Sequence, residues 1–294
     1  MVEFGLSLWP KIVSILLAGG GPGYMIAETN CAPGYQPPFV VCCLSNDPEI
    51  LNRNLRASPA IVSGRLKLDV EENPPSATIG YNRLLDRNPD AVCILAHHDV
   101  YLPEGWDQVL TDRLAEVEAL DQNWGIVAAY GVGSDGRHWG PVWCSALSSV
   151  IGGVALQPEP IMSADELLII LRPGMGLRFD EKLPHFHFYG LDIVQTARMA
   201  GLGVYNVPLP LVHNDRFSKD LGEGYRDSYD YMHRKWRAQL PLRATTTTIS
   251  WHKLHLYRSL RNMAAYAETG AARAAPVSVA PESYAERCGW SRLG

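Results

Sequence analysis

Ala91-Val92-Cys93-Ile94-Leu95-Ala96-His97-His98-Asp99-Val100-Tyr101-Leu102-Pro103 is the stretch whose reading decides the fold. Ala91 to Ala96 is apolar throughout and of strand length, with no polar face. Such a run fits a strand buried on both sides of a sheet. It stops abruptly at His97, His98 and Asp99. Pro103 and Gly105 then break the chain, and Trp106 to Leu120 reads as a helix. In open α/β sheets, ligands bind beyond the carboxyl ends of strands. His97-x-Asp99 therefore stands where a ligand would sit, with side chains suited to a divalent cation. The plainer reading is a solvated strand end at which the two side chains close a turn.

Working outward towards the N-terminus, Phe39 to Leu44 reads as a first core strand, followed by Ser45, Asn46 and Asp47. Asn46 or Asp47 is placed to cap a helix through Pro48 to Ala57, because proline suits a first helical turn. The same strand end is placed to hold part of a nucleotide. Ala60 to Ser63 reads as a second strand, with Leu66 to Val70 continuing it and Asp69 at its end. Ser76 to Asp86 reads as a helix that buries one face. Asn82 is a poor helix former in that position, which points to a side-chain bond with a neighbouring loop. Arg83 reads as a surface arginine.

Towards the C-terminus, Gly125 to Tyr130 is another strand, and the Gly- and aromatic-rich Gly131 to Pro141 a hairpin or flap. Trp139 and Trp143 there are suited to stack on a sugar face or to pack. Ser148 to Leu156 and Pro160 to Ser163 read as strands. Asp165 and Glu166 directly precede the apolar run Leu167 to Leu171, at the edge of a packed element. The loop Phe179 to Tyr189, dense in aromatics and containing His185 and His187, feeds a helix over Ile193 to Ala200. Asp192 falls near that helix's N-terminus, where the helix dipole favours an ionised carboxylate; it reads as an N-cap, a general base or an anchor for a sugar hydroxyl. Val204 to Val212 forms one or two strands ending in His213-Asn214-Asp215. Arg216 to Tyr231 has the composition of a mobile lid. Met232 to Leu240 and Trp251 to Glu268 read as helices, and Ala271 to Gly294 as a poorly ordered or docking tail.

The 294 residues suffice for one large domain or two small ones. At 47% hydrophobic and 19% charged, the chain can bury a full-sized core. A net charge of -5 excludes a general nucleic-acid surface, which needs a basic footprint, but not a local basic pocket for a diphosphate. Six cysteines, Cys31, Cys42, Cys43, Cys93, Cys144 and Cys288, form no CxxC pair, which fits a reducing compartment and a cytoplasmic location. Leu6 to Gly20 is apolar but interrupted by Pro10 and Lys11 and too short to span a bilayer, which leaves room for peripheral membrane association. Gly19, Gly20, Gly21 and Gly23 lack the Lys-Ser/Thr of a P-loop and read as a flexible connection. Strand and helix alternation in the first half implies an α/β domain with a mostly parallel central sheet flanked by helices.

Four features in this order resemble the GT-A glycosyltransferases, in particular bacterial family-2-like members. They are His97-x-Asp99 after a buried strand, where that superfamily has Asp-x-Asp; the strand-edge acid Asp165; Gly190-Leu191-Asp192 opening the helix after the aromatic loop; and His213 after a late strand. The first Asp of Asp-x-Asp is His97 here. The resemblance covers roughly Pro38 to Leu240. It implies a Rossmann-like GT-A domain over 38–240, with a nucleotide half at 38–130 and an acceptor half at 131–240. Residues 1–37 form an N-terminal extension, and 241–294 a C-terminal helix and tail. It further implies Mn²⁺ or Mg²⁺ held by Asp99 and His213. Ser45, Asn46, Asp69, Asn82, His97, His98 and Lys219 are assigned to the donor nucleotide, with Arg216 and Lys235 as further cations for phosphate. Asp165, His187, Tyr189 and Trp139 are assigned to the acceptor or sugar. Asp192 is the base of an inverting transfer, or a sugar ligand in a retaining one.

The function so implied is metal-dependent transfer of a sugar from a nucleotide-diphosphate donor, by default a UDP-sugar, to a saccharide or other hydroxyl acceptor. Two other readings stand beside it. One is a metal-dependent phosphohydrolase built on His97, His98, Asp99, His185, His187 and His213, against which the sparse acidic set argues. The other is a nucleotide-binding protein without catalysis.

Overall fold

The computed structural model describes residues 37–215, 222–270 and 274–293. Cys31, the glycines at 19–23, Arg216 and Lys219 lie outside the described residues. Contacts along the chain divide it at position 36 into Met1–Gln36 and Pro37–Gly294, and every element below belongs to the second unit.

The strands are β1 (Phe39–Ser45), β2 (Lys67–Glu72), β3 (Val92–His97), β4 (Val100–Tyr101), β5 (Trp124–Ala128), β6 (Gly131–Gly133), β7 (His138–Trp139), β8 (Val142–Cys144), β9 (Ser149–Ile151), β10 (Glu159–Ala164), β11 (Leu168–Leu171), β12 (Gly203–Asn206), β13 (Leu211–His213), β14 (Leu242–Arg243) and β15 (Thr248–Ile249). The helices are α1 (Pro48–Arg53), α2 (Pro59–Val62), α3 (Ala77–Arg87), α4 (Trp106–Leu120), α5 (Tyr189–Met199), α6 (Gly222–Lys235), α7 (Leu254–Gly270) and α8 (Pro281–Arg287). Nine strands form one sheet in the order β2-β1-β3-β11-β5-β12-β10-β6-β7, and β4-β13-β8-β9 form a second, smaller one.

Alternation along β3 explains its lack of a polar face. Cys93 and Leu95 pack on one side of the sheet with Tyr81 and Leu84 of α3 and Leu191 and Val194 of α5. Val92, Ile94 and Ala96 pack on the other with Leu51 of α1 and Trp106 and Leu110 of α4. Successive strand side chains point to opposite faces, so a strand covered on both sides must be apolar at every position.

The α/β class and the central sheet flanked by helices are as expected from the sequence, but the sheet is mixed. β1 runs parallel to β2 and β3, and β12 parallel to β5. β11 lies antiparallel between β3 and β5. The reason is that β11 keeps the direction of β10, because the connection between them is too short to reverse the chain. β10 passes into β11 through three residues, Asp165 to Leu167, and the pair behaves as one long strand that changes partners. Asp165 N donates to Tyr130 O at 2.8 Å on one side of this kink, and Ala129 N to Leu168 O at 3.2 Å on the other. The acidic pair Asp165-Glu166 is thereby fixed at the end of the sheet where β3 also ends.

Other expectations are corrected. Ala60 to Ser63 belongs not to a strand but to the short helix α2, started by Pro59. Most of the stretch read as a lid is α6, which buries Tyr225, Ser228, Tyr229 and Met232. The core continues past residue 240, through Leu242, Ile249 and Leu256. Of the two readings of the tail, poorly ordered or docking, the second describes residues 274–293, which fold back. Tyr284 of α8 is fully buried and stacks on Trp143 at 5.1 Å between ring centroids. Leu293 N donates to Glu104 O at 2.7 Å. Gly105, at φ +82°, leaves the room that Leu293 fills, because a Cβ there would run into the Leu293 carbonyl. Among the described residues no helix is long and apolar enough to cross a membrane.

Candidate functional site

The site is built where two sheets meet. β3 ends at His97, and the chain turns through His98 and Asp99 into β4. β4 pairs antiparallel with β13, so that His213 stands opposite Val100. Asn214 N donates to the Asp99 carbonyl at 2.9 Å and locks this register. His213 Nε2 consequently lies 3.3 Å from Asp99 Oδ1, and His97 Nδ1 lies 4.0 Å from the same oxygen. Donor atoms of His97, Asp99 and His213 all lie within 4.8 Å of one another. Tyr189 OH, 3.1 Å from His97 Nε2, holds that ring with Nδ1 towards Asp99.

Electrostatics separate the three groups. Burial pushes the Asp99 carboxyl up, but the imidazoles of His213, His97 and His98 overcome it and hold the group well below the usual carboxylate range. Burial pushes His213 down, but Asp99 and Asp215 outweigh it and raise it to about 10. His97 is lowered, chiefly by burial and also by His213 and His98, against the pull of Asp99.

The residues fit a divalent cation. Asp99 Oδ1 is buried, and two imidazole nitrogens face it, His213 Nε2 at 3.3 Å and His97 Nδ1 at 4.0 Å. In the metal-free protein the His213 proton balances this carboxylate, and a divalent cation would take the place of that proton. One carboxylate with two imidazoles is a mixed oxygen and nitrogen set, which suits Mn²⁺ better than Mg²⁺.

Two cavities meet at this group, and His97 and Asp99 line both. The larger, about 530 Å³, is also lined by Asp165, Glu166, His187, His213, Asn214 and Tyr225. The smaller, about 380 Å³, is lined by Ser45, Asn46, Tyr81, His98 and Tyr189 among others. His98 Nδ1 lies 3.1 Å from Ser45 Oγ across its floor. Of the sequence-derived candidates, Ser45, Asn46, His97, His98, Asp99, Asp165, His187, Tyr189 and His213 thus converge on one place.

Others do not. Asp69 faces away, paired with Arg87 at 3.0 Å and taking a hydrogen bond from Asn88. Asn82 makes the loop bond its sequence position suggested. Its side chain donates to Phe179 O and accepts from Phe179 N, both at 3.0 Å, and braces the loop before α5. Arg83 pairs with Glu71 at 2.9 Å. Trp139 sits on the edge strand β7, outside both cavities. Lys235 pairs with Asp180 and Asp192, both at 2.8 Å.

Asp192, expected to be the base, is 1% exposed and lines neither cavity. Its carboxylate accepts from Lys235 Nζ at 2.8 Å and from Trp236 Nε1 at 2.7 Å. Leu191 takes the cavity-facing position on α5, and the next residue is turned about 100° away by the helix. Glu166, named in the sequence beside Asp165 but given no role there, lines the larger cavity. Its Oε1 accepts from Gly190 N at 3.2 Å at the start of α5. Burial, helped by Asp165, pushes its carboxyl up to about 8, against backbone hydrogen bonds from Gly190, Phe188 and Tyr189. Its signal in the sequence is the acidic pair before an apolar run, in which Asp165 is the more conspicuous member. Thr245, Thr246 and Val277, which also line the larger cavity, come from segments beyond the expected domain end.

No protein-family model matches this chain, and no curated protein sequence matches it. Among solved structures it is similar to TarS of S. aureus, at 13% identity over 70% of this chain and 40% of that one, with a TM-score of 0.41. It is also similar to A197 from STIV, at 9% identity over 59% of this chain and 83% of that one, TM-score 0.37. A third likeness is to the mannosyltransferase PcManGT from Pyrobaculum calidifontis in complex with GDP-Man and Mn²⁺, at 15% identity over 87% and 77%, TM-score 0.36. Likenesses this distant leave the chemistry to be argued from this chain's own residues.

Proposed function

We propose that this protein is a metal-dependent glycosyltransferase that moves a sugar from a nucleotide-diphosphate donor to a hydroxyl acceptor. The observation that carries the reading is the convergence of His97, Asp99 and His213 on the wall shared by two cavities. A donor in the smaller cavity presents its diphosphate to that wall, and an acceptor in the larger one approaches from the other side.

Asp99 and His213 hold the cation, with His97 beside them. A divalent cation there supplies Lewis-acid stabilisation of the negative charge on the departing nucleoside diphosphate. Ser45, Asn46 and His98 line the nucleotide side, and Asp165 and His187 the acceptor side. We assign the base of an inverting transfer to Glu166 in place of Asp192. It takes the acceptor hydroxyl proton as that oxygen bonds the anomeric carbon and the bond to the diphosphate oxygen breaks. A carboxylate whose pKa burial brings near neutrality is matched to such a task. Asp192 instead ties α5 to the end of α6. The hydrolase alternative needs a larger convergent set, but His185 is drawn off to Asp227 at 3.1 Å and His98 to Ser45.

The test is calorimetric titration of UDP and GDP, each with and without Mn²⁺. Binding of one nucleotide that requires Mn²⁺ is expected. Metal-independent binding, or none of either, overturns the reading.

A further inference from the structure

A third cavity, about 370 Å³, lies between the β14–β15 turn and α7. It is continuous with the larger cavity of the proposed active site, because Ala244, Thr245 and Thr246 line both. Its chemistry differs from the rest of the molecule. The chain carries 31 acidic against 26 basic residues, yet among the described residues no carboxylate lines this groove, while Arg243, Arg258, His138 and His255 do. Among the described residues neither the Arg243 nor the Arg258 guanidinium has an ion pair or hydrogen bond. Arg87, by contrast, is matched with Asp69 and Glu71.

The setting positions Arg243 and the threonine run. Gly136 carries no side chain where the Arg243 guanidinium lies, and a Cβ there would collide with it. The threonine run is tied down from two sides, by Tyr225 OH with Thr246 Oγ1 at 3.1 Å and by Ser259 Oγ donating to Thr247 Oγ1 at 2.7 Å. Two guanidinium groups without partners and several hydroxyls lining one groove suit a phosphate or carboxylate group.

We infer that this groove is an anion subsite of the acceptor, and that the natural acceptor carries a phosphate or carboxylate group which Arg243 and Arg258 engage while its hydroxyl reaches Glu166. This rests on the transferase reading and narrows its acceptor class. An anionic lipid headgroup offers the same chemistry from another source, so the test separates the two.

Binding of a hexose 6-phosphate, a hexuronate and the neutral hexose is measured by saturation-transfer NMR in EDTA, which silences the cation site. The proteins compared are the wild type and the doubly substituted Arg243→Gln, Arg258→Gln chain. Both anionic sugars are expected to bind the wild type more tightly than the neutral one, to lose at least tenfold in affinity in the double variant, and to weaken with added salt. Unchanged affinity in the variant, or no preference for the anions, overturns the proposal. So does arginine-dependent sedimentation with phosphatidylglycerol vesicles by a protein that ignores the sugar anions. Mn²⁺-dependent nucleotide binding, titrated in parallel on both proteins, reports on the transferase reading alone. Its absence beside intact anion binding defeats that reading and leaves an anion site; its presence without anion binding does the reverse.

Discussion

Asp99 is asked to remain ionised among groups that would otherwise compete for it. Its carboxyl stays deprotonated because three imidazoles surround it, and its Oδ1 faces the space that two of them share. Asp99→Asn keeps the shape and removes the charge. Calorimetry on this variant is expected to show the Mn²⁺ requirement of nucleotide binding lost, with affinity falling to the metal-free level. A variant that still needs Mn²⁺ removes Asp99 from the ligand set. Glu166 is under the opposite pressure, since burial favours its neutral form and raises it to about 8. Its ionised fraction therefore grows as pH rises towards that value. Transfer by the wild type is expected to climb about tenfold per pH unit on the acid side of the profile. Glu166→Gln is expected to lose on the order of 10²–10⁴ in rate and to flatten that limb, while nucleotide binding persists. The same group carries a stability effect of fixed sign. The protein gains most from a neutral Glu166 below the ordinary glutamate range, and the gain is lost as pH rises through about 8. Glu166→Gln should accordingly flatten part of the pH dependence of thermal unfolding between the ordinary glutamate range and about pH 8.

At the level of elements, the loop that delivers α5 to the cavity hangs on one side chain. Asn82 pairs with both the N–H and the carbonyl of Phe179. Asn82→Ala leaves two buried backbone groups unsatisfied, each costing about 1–3 kcal/mol. Chemical denaturation should show that loss, together with a weaker acceptor response if α5 shifts. Similarly, α8 is anchored by Tyr284, stacked on Trp143 and donating to Pro276 O at 2.7 Å. Truncating a buried aromatic to alanine costs about 3–5 kcal/mol. Tyr284→Ala is expected to expose the segment 274–293 to rapid proteolysis, whereas an unchanged digestion pattern would show that α8 is held by other contacts. These two anchors also mark what was legible in the sequence. Asn82 announced itself by being a poor helix former inside a helix. The strand ends at His97-x-Asp99 and His213 announced themselves because an apolar strand that stops on metal-ligating side chains places them together at the edge of a sheet. Asp192 misled, because its place in the chain fits a base while a one-residue rotation around α5 decides which way it points. For the tail the sequence left two readings open, poorly ordered or docking, because an Ala-, Pro- and Ser-rich segment becomes ordered only through a partner, Trp143, that lies far away in sequence. The antiparallel β11 was hidden for the same reason, since its partners are chosen at a three-residue kink that composition does not describe.

For the molecule as a whole, the candidate cation site is a junction. His97 belongs to the nine-stranded sheet, His213 to the four-stranded one, and Asp99 to the turn between them. A cation bound there ties the two sheets together and binds the folded state alone, so it must raise the unfolding temperature. At 100 times its dissociation constant the gain is about 2.7 kcal/mol. The gain also has a defined pH dependence. In the metal-free protein His213 is held protonated up to about 10 by Asp99 and Asp215. That ion pair contributes stability below the ordinary histidine range and loses it as pH rises through about 10. Asp99 contributes from the ordinary carboxylate range upward and loses its part only in acid. A cation must displace the His213 proton to bind. Below about 10 its affinity should therefore rise with pH, approaching tenfold per unit, while the metal-free melting temperature gains nothing from this pair. Thermal melts at fixed Mn²⁺ between about pH 6 and 8 are expected to show a metal-induced shift that grows with pH and vanishes in His213→Ala. A shift independent of pH, or one that survives His213→Ala, would place the ion away from the junction and leave the two sheets joined by protein contacts alone.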